Sequence, residues 1–100
     1  MEKMTVAIIG GTQKQTFETL GKKRGYKVEH HDGKTGGGKV EQEFRRIVNK
    51  SDIVVVITTA LKHQSMWAVR ELAEKLGKKF TFHDGRGASG IFDKVADLVG

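Results

Sequence analysis

The sequence predicts a small α/β domain built on a parallel sheet. Strand-like apolar runs alternate four times with helix-periodic segments, no proline, long linker or low-complexity tract breaks the alternation, and the two most apolar runs come first and third. Thr5 to Ile9, stopped by Gly10-Gly11, and Ile53 to Ile57, stopped by Thr58-Thr59, are apolar without alternation. That is the mark of central strands covered on both faces. Tyr26 to His30 and Lys79 to Phe82 alternate polar and apolar residues, which suits edge strands with one face partly wet. Four further sets fall at helical spacings, each on one helix face: Phe17 and Leu20; Val40, Phe44, Ile47 and Val48; Met66, Val69, Ala73 and Leu76; Ile91, Val95, Leu98 and Val99. Gly25 and Gly77 follow the first and third sets at C-caps, where a left-handed residue is wanted. Ser51-Asp52 turns the chain into the third strand.

Four β-α units in alternation imply parallel strands joined by right-handed crossovers. The two most apolar strands take the middle. The predicted sheet order is therefore 2-1-3-4 with helices on both faces, a Rossmann-like or flavodoxin-like three-layer sandwich. A chain of 100 residues hides about two thirds of its unfolded surface around one core, so residues 1–100 read as a single domain. Apolar residues make up 37% of it and come in short clusters such as Val54-Val55-Val56-Ile57, well below the ~18 to 20 needed to span a bilayer. With no apolar leader ahead of Thr5, the chain reads as cytoplasmic. It has no cysteine, which excludes disulfides, thiolate metal sites and a cysteine nucleophile.

The formal net charge of +6 is unevenly placed, because residues 1–50 carry eleven Lys and Arg against six acids and residues 51–100 carry seven against six. A basic surface favours anionic partners: phosphates, nucleotides, nucleic acid or acidic proteins. Solvated helix faces such as Lys22-Lys23-Arg24 explain the same charge without a partner.

In an open parallel sheet, ligands bind outside the carboxyl ends of the strands where the strand order reverses, here between the first and third strands. The loop after the first strand, Gly10-Gly11-Thr12-Gln13, offers backbone freedom, a hydroxyl and the positive end of the following helix, a suitable cradle for phosphate or carboxylate. It matches neither G-x-G-x-x-G nor the P-loop pattern, and a plain strand-to-helix turn reads as well. The second loop, His31-Asp32-Gly33-Lys34-Thr35-Gly36-Gly37-Gly38, packs a titratable pair, a cation and four glycines into eight residues. Such freedom costs folding entropy, so the loop suits a ligand clamp, with a solvent-exposed excursion as the alternative. The third segment runs from Thr58-Thr59 to His63, at a helix start whose positive end favours the neutral imidazole. Trp67 comes four residues later on the same face, where core or dimer packing is the expected role. The fourth loop begins at His83-Asp84 and carries Arg86, able to hold an oxyanion in a bidentate manner, and Ser89, expected as an N-cap.

Three histidines (His31, His63, His83) and two aspartates (Asp32, Asp84) thus border one predicted rim, a set suited to zinc or iron. The second and fourth strands lie on opposite flanks, roughly 15 Å apart at ~4.8 Å per strand, so one shared metal is the minor reading. His30 alternates to the other face, under a helix. A faint internal repeat links Lys27 to Gly33 with Lys79 to Gly85, each ending in His-Asp-Gly and followed by a basic residue, Lys34 or Arg86.

Gly10-Gly11, His30-His31-Asp32-Gly33, the apolar third strand, His63 and Trp67 within Lys-His-Gln-Ser-Met-Trp, and Arg86-Gly87-Ala88-Ser89 together resemble the prokaryotic family called domain of unknown function 2325. The likeness spans nearly the whole chain. It implies a small Rossmann-like domain, standing alone or appended to others, and points to Gly10, Gly11, His31, Asp32, Gly33, His63, Trp67, Arg86 and Ser89. The chain departs from that pattern at His83-Asp84. The leading functional expectation is a binding or sensing module for a small anionic, phosphate- or nucleotide-like ligand. That ligand would be held by loop amides, Lys34 and Arg86, with His31 and His63 as polar contacts. An alternative is a hydrolase or phosphoryl-transfer enzyme with His63 or His31 as general base, Asp32 orienting it, and possible help from a metal. A third is association with nucleic acid, supported by charge alone. A homodimer burying Trp67 or an edge strand is also expected. The identity of any cofactor is not given by the sequence.

Overall fold

The structure, a computed structural model, describes residues 4–11, 13–31, 40–58, 63–84 and 88–99, and for residues 40, 41, 63–65, 88 and 89 it describes the backbone alone. Strands and helices alternate: β1 (Met4–Ile9), α1 (Lys14–Lys23), β2 (Tyr26–His31), α2 (Val40–Lys50), β3 (Ile53–Ile57), α3 (His63–Lys75), β4 (Lys79–His83) and α4 (Ala88–Val99). All strand pairs are parallel and the sheet order is β2-β1-β3-β4, as the apolar content of the strands dictates. Asp52 pins the start of the central pair, its Oδ2 accepting the Thr5 N–H at 2.9 Å.

Strand alternation sends β1 and β3 side chains to two cores. Val6, Ile8, Ile53, Val55 and Ile57 meet Phe17 of α1 and Ile91, Phe92 and Val95 of α4. Ala7, Ile9, Val54 and Val56 meet Phe44 and Val48 of α2 and Met66, Val69, Leu72 and Ala73 of α3. On the first face α1 sits low on the sheet, because Gly21 has no side chain to hold it away; a Cβ there would lie 2.3 Å from Val28 Cγ2. Gly25 and Gly77 have φ of +85° and +71°, the left-handed C-cap conformation expected of them.

Several expectations need correction. His31 and His83 are not loop residues but the last residues of β2 and β4. Leu72 and Phe92 join the cores, while Leu76 and Val99 remain 37% and 41% exposed; α3 stops at Lys75, so Leu76 overhangs its end. Trp67 is 65% exposed and packs in neither core. Ser89 is the second residue of α4, within the helix and not ahead of it as an N-cap.

The strand order is symmetric about the β1–β3 seam. A two-fold axis along the strands takes β1, α1, β2 and α2 to β3, α3, β4 and α4 and exchanges the sheet's faces. The repeated segments occupy equivalent places, with His31 and His83 both at strand exits. His31 lies against α2 and His83 against α4, on opposite faces.

Candidate functional site

The carboxyl edge of the sheet is assembled around the end of β1. Gly10 and Gly11 have φ of +113° and +80°, conformations that side chains strongly disfavour. They carry the chain off the strand toward α1, and the Cα of Gly11 is close enough to β3 that a Cβ would stand 3.6 Å from Ile57 Cδ1. The Gly10 N–H donates to the His31 carbonyl at 2.7 Å, which ties the loop to the end of β2. From the α1 side, the His30 ring holds the loop again: Nε2 lies 3.2 Å from Gly10 O and 3.0 Å from Gly11 O. Carbonyls only accept, so Nε2 carries the proton. The His30 ring tilts against Phe17, with centroids 5.4 Å apart. Because a trans peptide sets N–H opposite C=O, drawing the Gly10 carbonyl toward His30 turns the Gly11 N–H away from it.

His31 faces the other way. Its Nε2 donates to Glu43 Oε2 at 3.0 Å, and the ring meets Phe44 edge-on at a centroid distance of 5.0 Å. The His31 side chain is 11% exposed and that of Glu43 is 42% exposed, so the pair lies at the protein's skin. Glu43 is thus one carboxylate that holds the His31 ring. Asp32, expected in that role, lies outside the described residues, as do Thr12, Gly33, Lys34, Thr59 and Arg86. His63 and Ser89 are placed by backbone alone, as the first residue of α3 and the second of α4. Thr58 follows β3 directly, and its Oγ1 donates to His83 O, 3.4 Å away.

His83 does not stand on an open rim. It is 7% exposed beneath the first turn of α4, where a Cβ on Gly90 would come within 3.1 Å of its Cε1. With His31 on one face of the sheet and His83 on the other, a single ion cannot bridge them. Asp84 follows on the surface. Among the described residues no three His, Asp or Glu side chains converge as a metal site, and no helix is long and apolar enough to cross a membrane.

The electrostatics of this edge come chiefly from helix ends. All four helices begin here; α1, α3 and α4 have no acidic residue in the first turn, whereas α2 opens with Glu41 and Glu43. At α1 the N-cap is Gln13, which makes no side-chain capping hydrogen bond. The positive ends of α1, α3 and α4 therefore meet no carboxylate from their own first turns. Two site residues escaped the sequence reading. His30 was placed under a helix by strand alternation, but its bonds to Gly10 and Gly11 depend on how the neighbouring strands align. Glu43 is twelve residues from His31 and carries no motif.

The chain matches the family model DUF2325, described as an uncharacterized protein conserved in bacteria, over residues 5–98. It is similar to a UPF0751 protein of Bacillus cereus strain AH820, 37% identical over 89 residues covering 89% of each chain. A UPF0751 protein of Bacillus anthracis is 36% identical over the same share, and one of Desulfitobacterium hafniense strain DSM 10664 is 32% identical over 97 residues, 93% of each chain. No solved structure matches.

Proposed function

We propose that this chain, which belongs to the DUF2325 family, is a binding or sensing module for a small anion, phosphate- or nucleotide-like, held at the carboxyl edge of its sheet. The carrying observation is that three of the four helices starting at this edge have no acid in their first turns, beside a glycine pair whose carbonyls are drawn back by His30. Helix starts and turned-out amides attract anions, and the +6 charge of the chain raises the local anion concentration. In this reading Gly11 and Thr12 offer main-chain donors, Gly10 supplies the turn that presents them, and Lys34 and Arg86 supply charge. His31, Asp32, Gly33, Thr58, Thr59, His63 and Ser89 line the rest, in a cytoplasmic protein. The test is calorimetric titration with inorganic phosphate and a nucleotide panel, repeated with Arg86→Ala. Binding that Arg86→Ala weakens supports the reading, and no heat from any member of the panel rejects it.

A second reading rests on the His31–Glu43 pair, whose 3.0 Å bond is the geometry by which a carboxylate fixes an imidazole for general-base work. It proposes a hydrolase or phosphoryl-transfer activity. If phosphate esters turn over, Glu43→Gln is expected to lower kcat at least tenfold with little change in KM. Equal turnover in both proteins would assign the pair to structure.

A further inference from the structure

Trp67, Leu76, Phe82 and Val99 are the large apolar side chains open to solvent among the described residues, and two of them, Phe82 and Val99, lie on or beside β4. Leu76 looks instead into a groove between α2 and α3 that it shares with Arg45, Asn49, Leu72 and Lys75. Helical spacing puts Trp67, Arg70 and Glu74 on the side of α3 away from that groove, with Trp67 turned to solvent. Lys79 Nζ donates to Leu98 O at 2.6 Å, which sets the end of α4, and Val99 with it, beside the start of β4. Phe82 lies on β4 itself, edge-to-face with Phe80 at 4.8 Å.

Among the described residues no strand lies beyond β4. The Lys79 N–H donates to Asp52 O and His83 O faces the Thr58 hydroxyl, so odd-numbered residues of β4 turn their backbone groups toward β3. Phe80 and Phe82 turn theirs outward. We propose that β4 pairs with the β4 of a second copy of this chain, antiparallel about a two-fold axis through Thr81, so that two four-stranded sheets become one.

The register follows from the residues. With Thr81 on the axis, Phe80 exchanges both N–H···O bonds with Phe82 of the partner subunit, and four phenylalanine rings gather on the α3 side. Lys78 then stands opposite Asp84 of the partner subunit, twice by symmetry. A slip of two residues either way puts Lys78 opposite Phe82 of the partner subunit, or Phe80 opposite Asp84 of the partner subunit, and loses the charge pair. Lys94 Nζ, which donates to Phe82 O at 3.0 Å, moves into solvent as that carbonyl takes a backbone donor. The other edge is a poorer match: β2 carries none of the exposed large apolar side chains, and its Lys27 and Glu29 already face each other at 4.0 Å.

Sedimentation equilibrium of the full chain at micromolar concentration is expected to give twice 11.1 kDa. Asp84→Lys sets two like charges against Lys78 of the partner subunit and is expected to weaken the dimer about tenfold, with the double swap Lys78→Asp/Asp84→Lys restoring it. In a chain without cysteine, Thr81→Cys places two thiols at a non-hydrogen-bonded antiparallel pair, with Cα atoms about 4.5 Å apart. It is expected to form a disulfide dimer on oxidation, while Glu29→Cys on β2 is not. Far-UV circular dichroism confirms that each variant folds. A wild-type monomer at hundreds of micromolar, a folded Thr81→Cys that does not cross-link, or a charge swap that fails to restore the dimer would each overturn the proposal.

Discussion

Replacing Gly21 by alanine sets two well-known effects against each other, and the structure decides between them. In an exposed helix the change stabilises, by about 1 kcal/mol on helix propensity. Gly21 is buried against β2, and the added Cβ would meet Val28 Cγ2 at 2.3 Å and the Phe92 ring at 3.3 Å. Ordinary carbon contacts begin near 3.5 Å, so about 1.2 Å of movement is needed. Val28 cannot supply it easily: its β-branched side chain is stiff and its backbone is paired with Val6 in the sheet. α1 must therefore lift, carrying Phe17 with it. Overpacking of this kind costs typically 1–3 kcal/mol, which leaves a net loss of up to about 2 kcal/mol and a fall in Tm of up to roughly 15 °C for a domain of this size. Urea denaturation followed by circular dichroism reads the loss as a lower midpoint at constant slope. The double mutant Gly21→Ala/Val28→Ala should recover about 1 kcal/mol relative to the sum of the single changes. A more stable Gly21→Ala would show that α1 does not pack on β2 as described.

Three further outcomes follow from the site and its supports. Gly10→Ala forces a side chain into φ of +113° and is expected to cost about 1–3 kcal/mol, read by the same denaturation. His30→Ala removes the donor shared by Gly10 O and Gly11 O; about 1–2 kcal/mol of stability should go with it, and amide exchange of Gly10, whose N–H donates to His31 O, should quicken. Asp52→Ala takes away the acceptor of the Thr5 N–H and should cost about 1 kcal/mol, whereas Asp52→Asn, which keeps an oxygen there, should cost less.

The strands and their order were legible because burial on two faces writes itself as an unbroken apolar run in β1 and β3, while one-sided burial writes alternation in β2 and β4. The C-cap glycines were legible for a similar reason, since one residue type answers one conformational demand. Side-chain partners were not. The His31–Glu43 bond joins residues whose closeness depends on how α2 settles on the sheet, and no local pattern encodes that. His31 and His83 read as loop residues because polarity marks turns, yet each extends its strand by one residue beyond the apolar run. Phe92 and Leu72 were missed because the stripes read from the sequence were narrower than the faces the sheet covers. Trp67 was expected to be packed on hydrophobicity alone, but one position beyond the buried Met66 the helix has already turned outward.

Thermal unfolding with added phosphate compounds is the most direct test for an anion at the carboxyl edge. A ligand at one hundred times its Kd stabilises the fold by about 2.7 kcal/mol, which for a domain of 100 residues is a rise in Tm of roughly 10–20 °C. Inorganic phosphate or a member of a nucleotide and phosphometabolite panel is predicted to produce a saturable rise, lost in Arg86→Ala. No rise with any compound, or a rise that Arg86→Ala leaves intact, would contradict it.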